Sequence, residues 1–170
     1  MKTLRIHDYD MAYLDLGAGP PTVLVHGSLN DFRTWAAVLG PLTAGRRVVA
    51  PSLRHYFPEL WDGMDGRLSI DQHVDDMITF IEALDVGPVD LIGHSRGGHI
   101  SFRLASKRPD LLRKLVLAEP GGTLEECLVP DDAPVAGSPE YVAASSAKVL
   151  AGDLESGLKV FVDGVNGPGT

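Results

Sequence analysis

The residues best suited to chemistry in this sequence form the segment Gly93-His94-Ser95-Arg96-Gly97. The segment directly follows a predicted buried strand and directly precedes a predicted helix, so the serine falls on a sharp strand-to-helix turn that projects its hydroxyl from the sheet edge. Glycines two positions before and after the serine avoid side-chain collisions across that turn. The start of the helix also directs amide groups and a positive dipole end toward an anion that forms near Ser95. The pattern predicts a nucleophilic serine that forms a covalent acyl intermediate.

Two alternatives to a serine nucleophile are weaker. In the first, the segment is a glycine-rich turn in which Ser95 only caps the helix, but capping would not require both flanking glycines. In the second, the single Cys127 is the nucleophile, but Glu125 and Glu126 beside it would disfavour the thiolate. Ser95 is therefore the predicted nucleophile.

The elements that must position Ser95 are short apolar runs that alternate with longer periodic runs, a pattern typical of a parallel sheet covered by helices. A capping box, in which Ser69 and Gln72 satisfy the first free amides, predicts the start of one helix, and Gly87-Pro88 predicts its end. The sequence thus predicts the α/β class. The predicted strands lie at about residues 4–7, 12–16, 22–25, 46–50, 89–92 and 114–118, and two further helices lie at about residues 34–42 and 95–107.

Two other segments differ from this alternation. The loop at residues 52–68 is predicted to lie on the surface. After residue 120 the pattern changes to an acidic, proline-rich stretch, and helical segments at about residues 139–151 and 153–162 follow it. We therefore predict a core at residues 1–120 and a second unit at residues 121–170.

Together these features resemble the cap-bearing α/β-hydrolases, which place the nucleophile on an elbow of this kind. The resemblance runs from the first strands to Pro120 and, more loosely, through residues 121–170, which resemble the beginning of the helical cap over the pocket. It implies the α/β-hydrolase fold, with a mostly parallel central sheet flanked by helices, and it is specific to the superfamily rather than to a substrate. The stretches that carry it are Gly19-Pro20-Pro21-Thr22-Val23-Leu24-Val25-His26-Gly27, Leu91-Ile92-Gly93-His94-Ser95-Arg96-Gly97-Gly98, and Arg108-Pro109-Asp110 leading into Lys114-Leu115-Val116-Leu117-Ala118.

The resemblance also implies an oxyanion hole, in which two backbone amides stabilise the transition state by roughly 3 kcal/mol each. One donor would be the amide of Arg96, next to the nucleophile, and the other the amide of Ser28, just after His26-Gly27. In this family the histidine of that His-Gly pair shapes the loop and does not act as base, so His26 is expected to be structural. His94 is expected to support the elbow.

A serine hydroxyl needs a base to accept its proton, and the chain order in this fold is serine, acid, histidine. No histidine follows His99, which is expected to face other residues of its helix. Either the sequence is a fragment that lacks the last strands and the catalytic histidine, or it is a divergent member with another base. The first is favoured because the sequence ends in a Gly-Pro loop. The best substitute within the sequence is His55, which is expected to line the pocket mouth or to be exposed.

The triad acid is predicted at Glu119, at the C-terminal end of the strand that follows the elbow helix, where ligands bind in such sheets. Some family members, including certain haloalkane dehalogenases, place the acid at this strand end, whereas the commoner site is one strand later. The alternative for Glu119 is a loop carboxylate that caps the following turn.

The predicted reaction is hydrolysis of a small or medium ester through an acyl-serine intermediate. Ser95 argues against the similar haloalkane dehalogenase and epoxide hydrolase branches, which use an aspartate at this position. Family members with a serine include carbon–carbon bond hydrolases and cofactor-free perhydrolases, and an inactive ligand-binding fragment is a further alternative. Apolar residues of the predicted cap could line the pocket from above: Tyr141, Val142, Val149, Leu150, Leu158, Phe161 and Val162.

Composition excludes several other classes. The 170 residues carry a net charge of −8 and no basic run, which argues against a nucleic-acid partner. The N-terminus lacks the apolar stretch of a secretory signal, and no run of about 18 apolar residues occurs, so a cytoplasmic location without membrane contact is expected. No phosphate-binding loop or metal-ligand spacing is found, so no cofactor or metal is expected, and the expected partner is a small-molecule substrate.

Overall fold

The computed structural model of the protein describes residues 1–60, 69–122 and 140–169. Its strands are β1 (Lys2–Ile6), β2 (Tyr9–Leu16), β3 (Pro21–Val25), β4 (Arg47–Pro51), β5 (Val89–His94) and β6 (Leu112–Ala118). Its α-helices are α1 (Ala36–Thr43), α2 (Ile70–Ala83), α3 (Arg96–Lys107), α4 (Glu140–Leu150) and α5 (Leu154–Asn166), and short 3-10 helices lie at Phe32–Trp35 and Pro109–Leu111.

The six strands form one mixed sheet in the order β1-β2-β4-β3-β5-β6. The hairpin of β1 and β2 pairs antiparallel with β4, and the other four strands run parallel. Val25 lies opposite Gly93 in the β3–β5 pair, so both strands end at the same level. The loops that follow them, with His26-Gly27 and Ser95, therefore leave the sheet side by side. The predicted α/β class and the mostly parallel sheet are confirmed.

The central strands are buried on both faces, as parallel strands covered by helices require. Successive residues of β3 point to opposite faces, so Val23 and Val25 join one apolar cluster while Leu24 joins another. Each fully buried aliphatic side chain of this kind stabilises the fold by roughly 1.5–3 kcal/mol. The larger cluster contains Ile6, Met11, Val49, Leu53, Val74, Met77, Phe80, Ile81, Val89, Leu91, Ile100 and Leu104, and the smaller contains Ala12, Phe32, Val48 and Ala50.

Helix α2 begins where the sequence predicts. The Ser69 backbone is extended, and its hydroxyl accepts a hydrogen bond of 3.0 Å from the amide of Gln72. The second half of the predicted capping box is wrong, because the Gln72 side chain points along the helix and donates to Oδ1 of Asp76 at 3.1 Å. A buried carboxylate at the next turn is a better partner for that amide group than the helix start.

The loop after β4 is predicted to be on the surface, and this is wrong for its first residues, since Ser52, Leu53 and Arg54 are buried. The Arg54 guanidinium donates two hydrogen bonds of 2.9 Å to the buried carboxylate of Asp76 and a third, also of 2.9 Å, to Asp8. It also lies over the Tyr9 ring, 4.0 Å from the centroid. These contacts tie the loop to α2 and to the hairpin, whereas residues 61–68 lie outside the described part.

Helices α4 and α5 belong to a second compact unit, Pro130–Thr170, separate from Met1–Val129. The Tyr141 and Phe161 rings meet edge to face at 6.1 Å, and the Ser145 hydroxyl donates to the Gly157 carbonyl at 2.8 Å. Two of the predicted pocket-lining residues thus contact each other. The division into residues 1–120 and 121–170 and the pocket-lining role stay predictions, because most residues between the units lie outside the described part. Within the described part, no helix has both the length and the apolar character needed to cross a membrane.

Replacing Asp76 by alanine tests the buried ion pair. The variant would leave the Arg54 charge buried without its main partner, so we expect the free energy of unfolding to fall by about 3–5 kcal/mol, measured by urea denaturation. The matched control is Asp75→Ala, one residue away on the same helix. The Asp75 side chain is 59% exposed and lies 3.8 Å from Lys107, so its loss should change stability by no more than about 0.5 kcal/mol. Equal effects of the two substitutions would contradict a structural role for the pair.

Candidate active site

Ser95 occupies the turn between β5 and α3 in an unusual backbone conformation, with φ 51° and ψ −121°. This region is sparsely populated by residues other than glycine and costs about 1–3 kcal/mol. The Ser95 amide donates to the Ala118 carbonyl at 3.0 Å, and the Ser95 carbonyl accepts from the amides of Gly98 (2.8 Å), His99 (3.1 Å) and Gly121 (2.9 Å). The serine side chain makes no capping hydrogen bond, which contradicts the alternative that Ser95 is a plain helix cap.

The two glycines of the motif are required by close backbone contacts. A Cβ at Gly97 would collide with the carbonyl oxygens of Val25 and His26, and one at Gly93 would collide with the Gly97 carbonyl. Glycine at both positions therefore lets the start of α3 lie directly against the end of β3. These close contacts explain why glycines stand two positions before and two positions after Ser95.

The loop after β3 lies against the nucleophile. A Cβ built at Gly27 would be 3.1 Å from the Cβ of Ser95 and 3.2 Å from Nδ1 of His94. Ser28 follows directly, and its carbonyl accepts a hydrogen bond of 3.2 Å from the Asn30 side chain. The structure thus brings the segments that contain Ser28 and Arg96, the predicted oxyanion donors, to one edge of the sheet. Their role as donors stays a prediction.

His26 is completely buried, and both of its ring nitrogens are used by the backbone. Its Nδ1 donates to the Gly27 carbonyl at 2.8 Å, while Nε2 accepts from the Leu53 amide at 3.0 Å. These bonds require the neutral ring, and burial lowers the pKa of His26 to about 4. These contacts support the structural role predicted for His26, which stays a prediction.

His73 lies at the same site, although its sequence context predicts no role for it. Its Nε2 donates to the Arg54 carbonyl at 3.3 Å, and its Nδ1 accepts from the Arg96 guanidinium at 3.4 Å. Burial, reinforced by the Arg96 charge, lowers the pKa of His73 to about 3. Burial also lowers the pKa of Arg96. The available signal was periodicity, because His73 lies four residues before the core residue Met77 on α2.

Three other histidines, His55, His94 and His99, are candidate bases by residue type. The His55 side chain is only 2% exposed, and its Nδ1 lies 3.2 Å from a carboxylate oxygen of Glu59, so the expectation that it is exposed is wrong. His99 is buried on α3, and His94 is half-buried beside Gly27. The ring nitrogens of His26 and His73 and Nδ1 of His55 therefore engage groups other than Ser95. The identity of the base stays a prediction.

Glu119, the predicted acid, directly follows the end of β6 and has a φ of 46°. It is exposed, and it lies between Ala118 and Gly121, which bond the amide and the carbonyl of Ser95. The structure thus places Glu119 beside the elbow, and its role in orienting a base stays a prediction. Cys127 lies outside the described residues. In the described part of the chain, no three His, Cys, Asp or Glu side chains are grouped to hold a metal ion.

Comparison with known proteins agrees with this architecture. A family model for the alpha/beta hydrolase fold matches residues 20–163. The 2-hydroxymuconate semialdehyde hydrolase of Pseudomonas sp. strain CF600 is 34% identical over 112 residues, which cover 64% of this chain and 39% of that protein. A haloalkane dehalogenase of Mycolicibacterium paratuberculosis is 33% identical over 118 residues, 69% of this chain and 38% of that protein. A mutant of CumD, the meta-cleavage product hydrolase of Pseudomonas fluorescens, has a TM-score of 0.61 at 26% identity, covering 72% of this chain and 46% of that chain. The chain thus spans less than half the length of each of these proteins.

The two buried neutral histidines predict how stability depends on pH. An unfolded histidine has a pKa of about 6.5, whereas the pKa values of His26 and His73 are about 4 and about 3 in the folded protein, so between these values only the unfolded chain takes up the protons. Their contribution is fully present above pH ~6.5 and is lost as the pH falls toward 4. We expect each to lower the free energy of unfolding by up to about 1.4 kcal/mol per pH unit between pH 6 and pH 5.

Urea denaturation at pH 5.0–7.5 measures this slope. A His73→Gln variant keeps an amide that can donate to the Arg54 carbonyl but does not titrate, so its slope should be smaller by about one proton. Identical slopes for the two proteins would contradict the assignment of a neutral, buried His73.

Proposed function

Because the chain belongs to the α/β-hydrolase family, we propose that the protein is a serine hydrolase that cleaves a small or medium ester through an acyl-serine intermediate on Ser95. The observation that carries the proposal is the Ser95 backbone, with φ 51° and ψ −121° at the strand-to-helix turn. Strain of this kind is concentrated at functional positions, where the surrounding structure imposes it. Since the chain spans 39% of the length of the similar 2-hydroxymuconate semialdehyde hydrolase, the proposed activity is that of the whole protein. A cytoplasmic location and a small-molecule substrate belong to the same proposal.

In the proposed mechanism, Oγ of Ser95 attacks the carbonyl carbon of the ester while its proton passes to a general base. The bond to the alkoxy oxygen then breaks, and the alcohol leaves with the proton from the base. A water molecule attacks the acyl-serine in the same way, which releases the carboxylic acid and restores the serine hydroxyl. Each step conserves the proton that the base accepts and returns.

The amides of Ser28 and Arg96 are the proposed donors to the oxyanion. Arg96 directly follows the nucleophile as the first residue of α3, where the helix dipole favours a developing negative charge. Ser28 directly follows Gly27, whose Cα is near Ser95. These placements support two donors on one side of the nucleophile, where negative charge develops on the carbonyl oxygen.

Glu119 is the proposed acid, and a histidine that it orients is the proposed base. The proposal is supported by the position of Glu119 next to Ala118, the hydrogen-bond acceptor of the Ser95 amide. Glu119 is exposed at that strand end, so its carboxylate is accessible to a histidine ring. His26 and His73 are excluded as the base, since backbone groups and Arg96 occupy their ring nitrogens.

Hydrolysis of a carbon–carbon bond next to a carbonyl group is the second candidate. It is favoured by the names of two of the similar proteins, a 2-hydroxymuconate semialdehyde hydrolase and a meta-cleavage product hydrolase. Both candidate reactions would use Ser95 as the nucleophile, so the choice of substrate distinguishes them. Turnover of p-nitrophenyl butyrate without turnover of 2-hydroxymuconate semialdehyde supports the esterase, and the converse supports the second candidate.

The direct test of the nucleophile is hydrolysis of p-nitrophenyl acetate and butyrate by the 170-residue chain and by the product of the whole gene, each compared with its Ser95→Ala variant. We expect Ser95→Ala to lower kcat by roughly 10⁴-fold or more in whichever protein turns over, because the covalent route is lost. Ser106→Ala, on the exposed side of the same helix, is the control and should keep the full rate. Turnover that survives Ser95→Ala would exclude Ser95 as the nucleophile.

The proposed acid is tested by Glu119→Gln in the same assay. If the carboxylate orients the base, kcat should fall by roughly 10³- to 10⁴-fold at neutral pH with little change in KM. Glu82→Gln, at the far end of α2, removes a carboxylate of equal charge and should leave kcat unchanged. A Glu119→Gln rate equal to that of the parent protein would eliminate Glu119 as the acid.

A further inference from the structure

His73 is a fully buried residue in the first turn of α2. A polar atom that is buried without a partner is costly, so a buried histidine is expected to use both of its ring nitrogens. In His73, Nε2 lies 3.3 Å from the carbonyl oxygen of Arg54, and Nδ1 lies 3.4 Å from Nη2 of Arg96. The ring therefore joins the loop after β4 to the residue that directly follows the nucleophile.

The two partners of the His73 ring determine which nitrogen carries the hydrogen. The Arg54 carbonyl can only accept a hydrogen bond, so Nε2 is the donor, whereas the Arg96 guanidinium can only donate, so Nδ1 is the acceptor. This arrangement requires the neutral ring, and burial together with the Arg96 charge lowers the pKa of His73 to about 3. At neutral pH, His73 is thus an acceptor for the Arg96 side chain.

The position of this acceptor is fixed by its neighbours. The guanidinium of Arg54 donates two hydrogen bonds of 2.9 Å to Asp76, which lies on α2 three residues after His73. The loop that bonds to His73 is therefore tied to the same helix by an ion pair. On another side, the centroid of the Tyr56 ring lies 6.3 Å from that of His73. Arg96 thus donates to a nitrogen that the surrounding groups hold in place.

The segment that Arg96 begins has few other side chains to anchor it. Arg96 is the first residue of α3, and Gly97 and Gly98 follow it. Glycine disfavours a helix by about 1 kcal/mol relative to alanine, and it has no side chain that could bond to a neighbouring element. The Arg96 side chain is therefore the first one of α3 that can fix this turn, and its backbone amide is the proposed oxyanion donor.

We propose that His73 is a positioning residue for the oxyanion hole, which accepts a hydrogen bond from the Arg96 guanidinium and so holds the Arg96 amide beside Ser95. This inference rests on the proposed serine hydrolase function. An oxyanion donor acts only if it is preorganised, and a displacement of about 1 Å can cost roughly 100-fold in rate. His73 does not touch the substrate in this proposal, because it acts through Arg96.

Two substitutions of His73 separate its two hydrogen bonds. The amide nitrogen of glutamine can take the place of Nε2, so His73→Gln keeps the donor to Arg54 and loses the acceptor for Arg96. The amide oxygen of asparagine can take the place of Nδ1, so His73→Asn keeps the acceptor and loses the donor. In the protein that turns over p-nitrophenyl butyrate, we expect His73→Gln to lower kcat by about 10- to 100-fold with KM within about twofold, and His73→Asn to keep kcat within about threefold of the parent value.

A substitution on the other side of the contact tests the same bond even if a His73 variant does not fold. Arg96→Met removes the guanidinium but keeps the backbone amide, so its loss of kcat should equal that of His73→Gln. The double variant should lose no more than either single one, because both substitutions remove one interaction. The matched control is His7→Gln, the same substitution at a histidine whose side chain is 45% exposed and bonded to Thr79 at 3.1 Å, and it should keep the parent rate.

Binding of a boronic acid, which forms a tetrahedral adduct with the serine, separates positioning from general loss of structure. Its affinity should fall by the same factor as kcat/KM in His73→Gln, while the midpoints of thermal unfolding of His73→Gln and His73→Asn, which each lose one hydrogen bond, stay within a few degrees of each other. A parent kcat in His73→Gln or Arg96→Met, equal losses of kcat in the two His73 variants, or single losses that multiply in the double variant would overturn the inference alone. A parent protein whose turnover does not depend on Ser95 would overturn the proposed function and this inference together.

Discussion

The backbone of Ser95 is the constraint on which the rest of the site depends. Its conformation is unfavourable by itself, and four hydrogen bonds maintain it, one from its amide to Ala118 and three to its carbonyl from the amides of Gly98, His99 and Gly121. The strand that precedes it lies between β3 and β6, so packing on both sides offsets the local cost. The conformation also requires Gly97, because any larger residue would push the start of α3 away from the end of β3.

Beneath this turn, a layer of buried polar groups connects α2 to the residue after the nucleophile. Asp76 binds Arg54, the Arg54 carbonyl accepts from His73, and His73 accepts from Arg96. Buried groups of this kind are costly unless each is hydrogen-bonded, and satisfied networks restrict a structure to one arrangement. Burial keeps His26 neutral, and its Nε2 accepts from the amide of Leu53, in the same loop as Arg54. The loop after β4 therefore contributes to the geometry of the site, although none of its residues is proposed to react with the substrate.

Much of the core was predictable because its signals are local. The apolar runs of β3 and β5, the serine cap of α2 and the glycines around Ser95 each report on a few neighbouring residues, and the structure has these elements where the sequence predicts them. The burial of Arg54 was not predictable in this way, since it depends on a carboxylate 22 positions away that only the folded chain brings close. The contact between His73 and Arg96 and the packing of Tyr56 on His26 were unpredictable for the same reason. Tertiary pairing of polar groups leaves little trace in periodicity or turn chemistry.

Activation of the Ser95 hydroxyl is the central claim, and covalent labelling with a fluorophosphonate probe tests it most directly. The probe would be applied to the 170-residue chain and to the product of the whole gene, and the modified peptide would be located by mass spectrometry. Stoichiometric labelling of the peptide that contains Ser95, abolished by Ser95→Ala, is the predicted result for the active protein. If both proteins are folded and neither is labelled at Ser95, the site is a passive ligand-binding edge and the claim of a serine hydrolase is wrong.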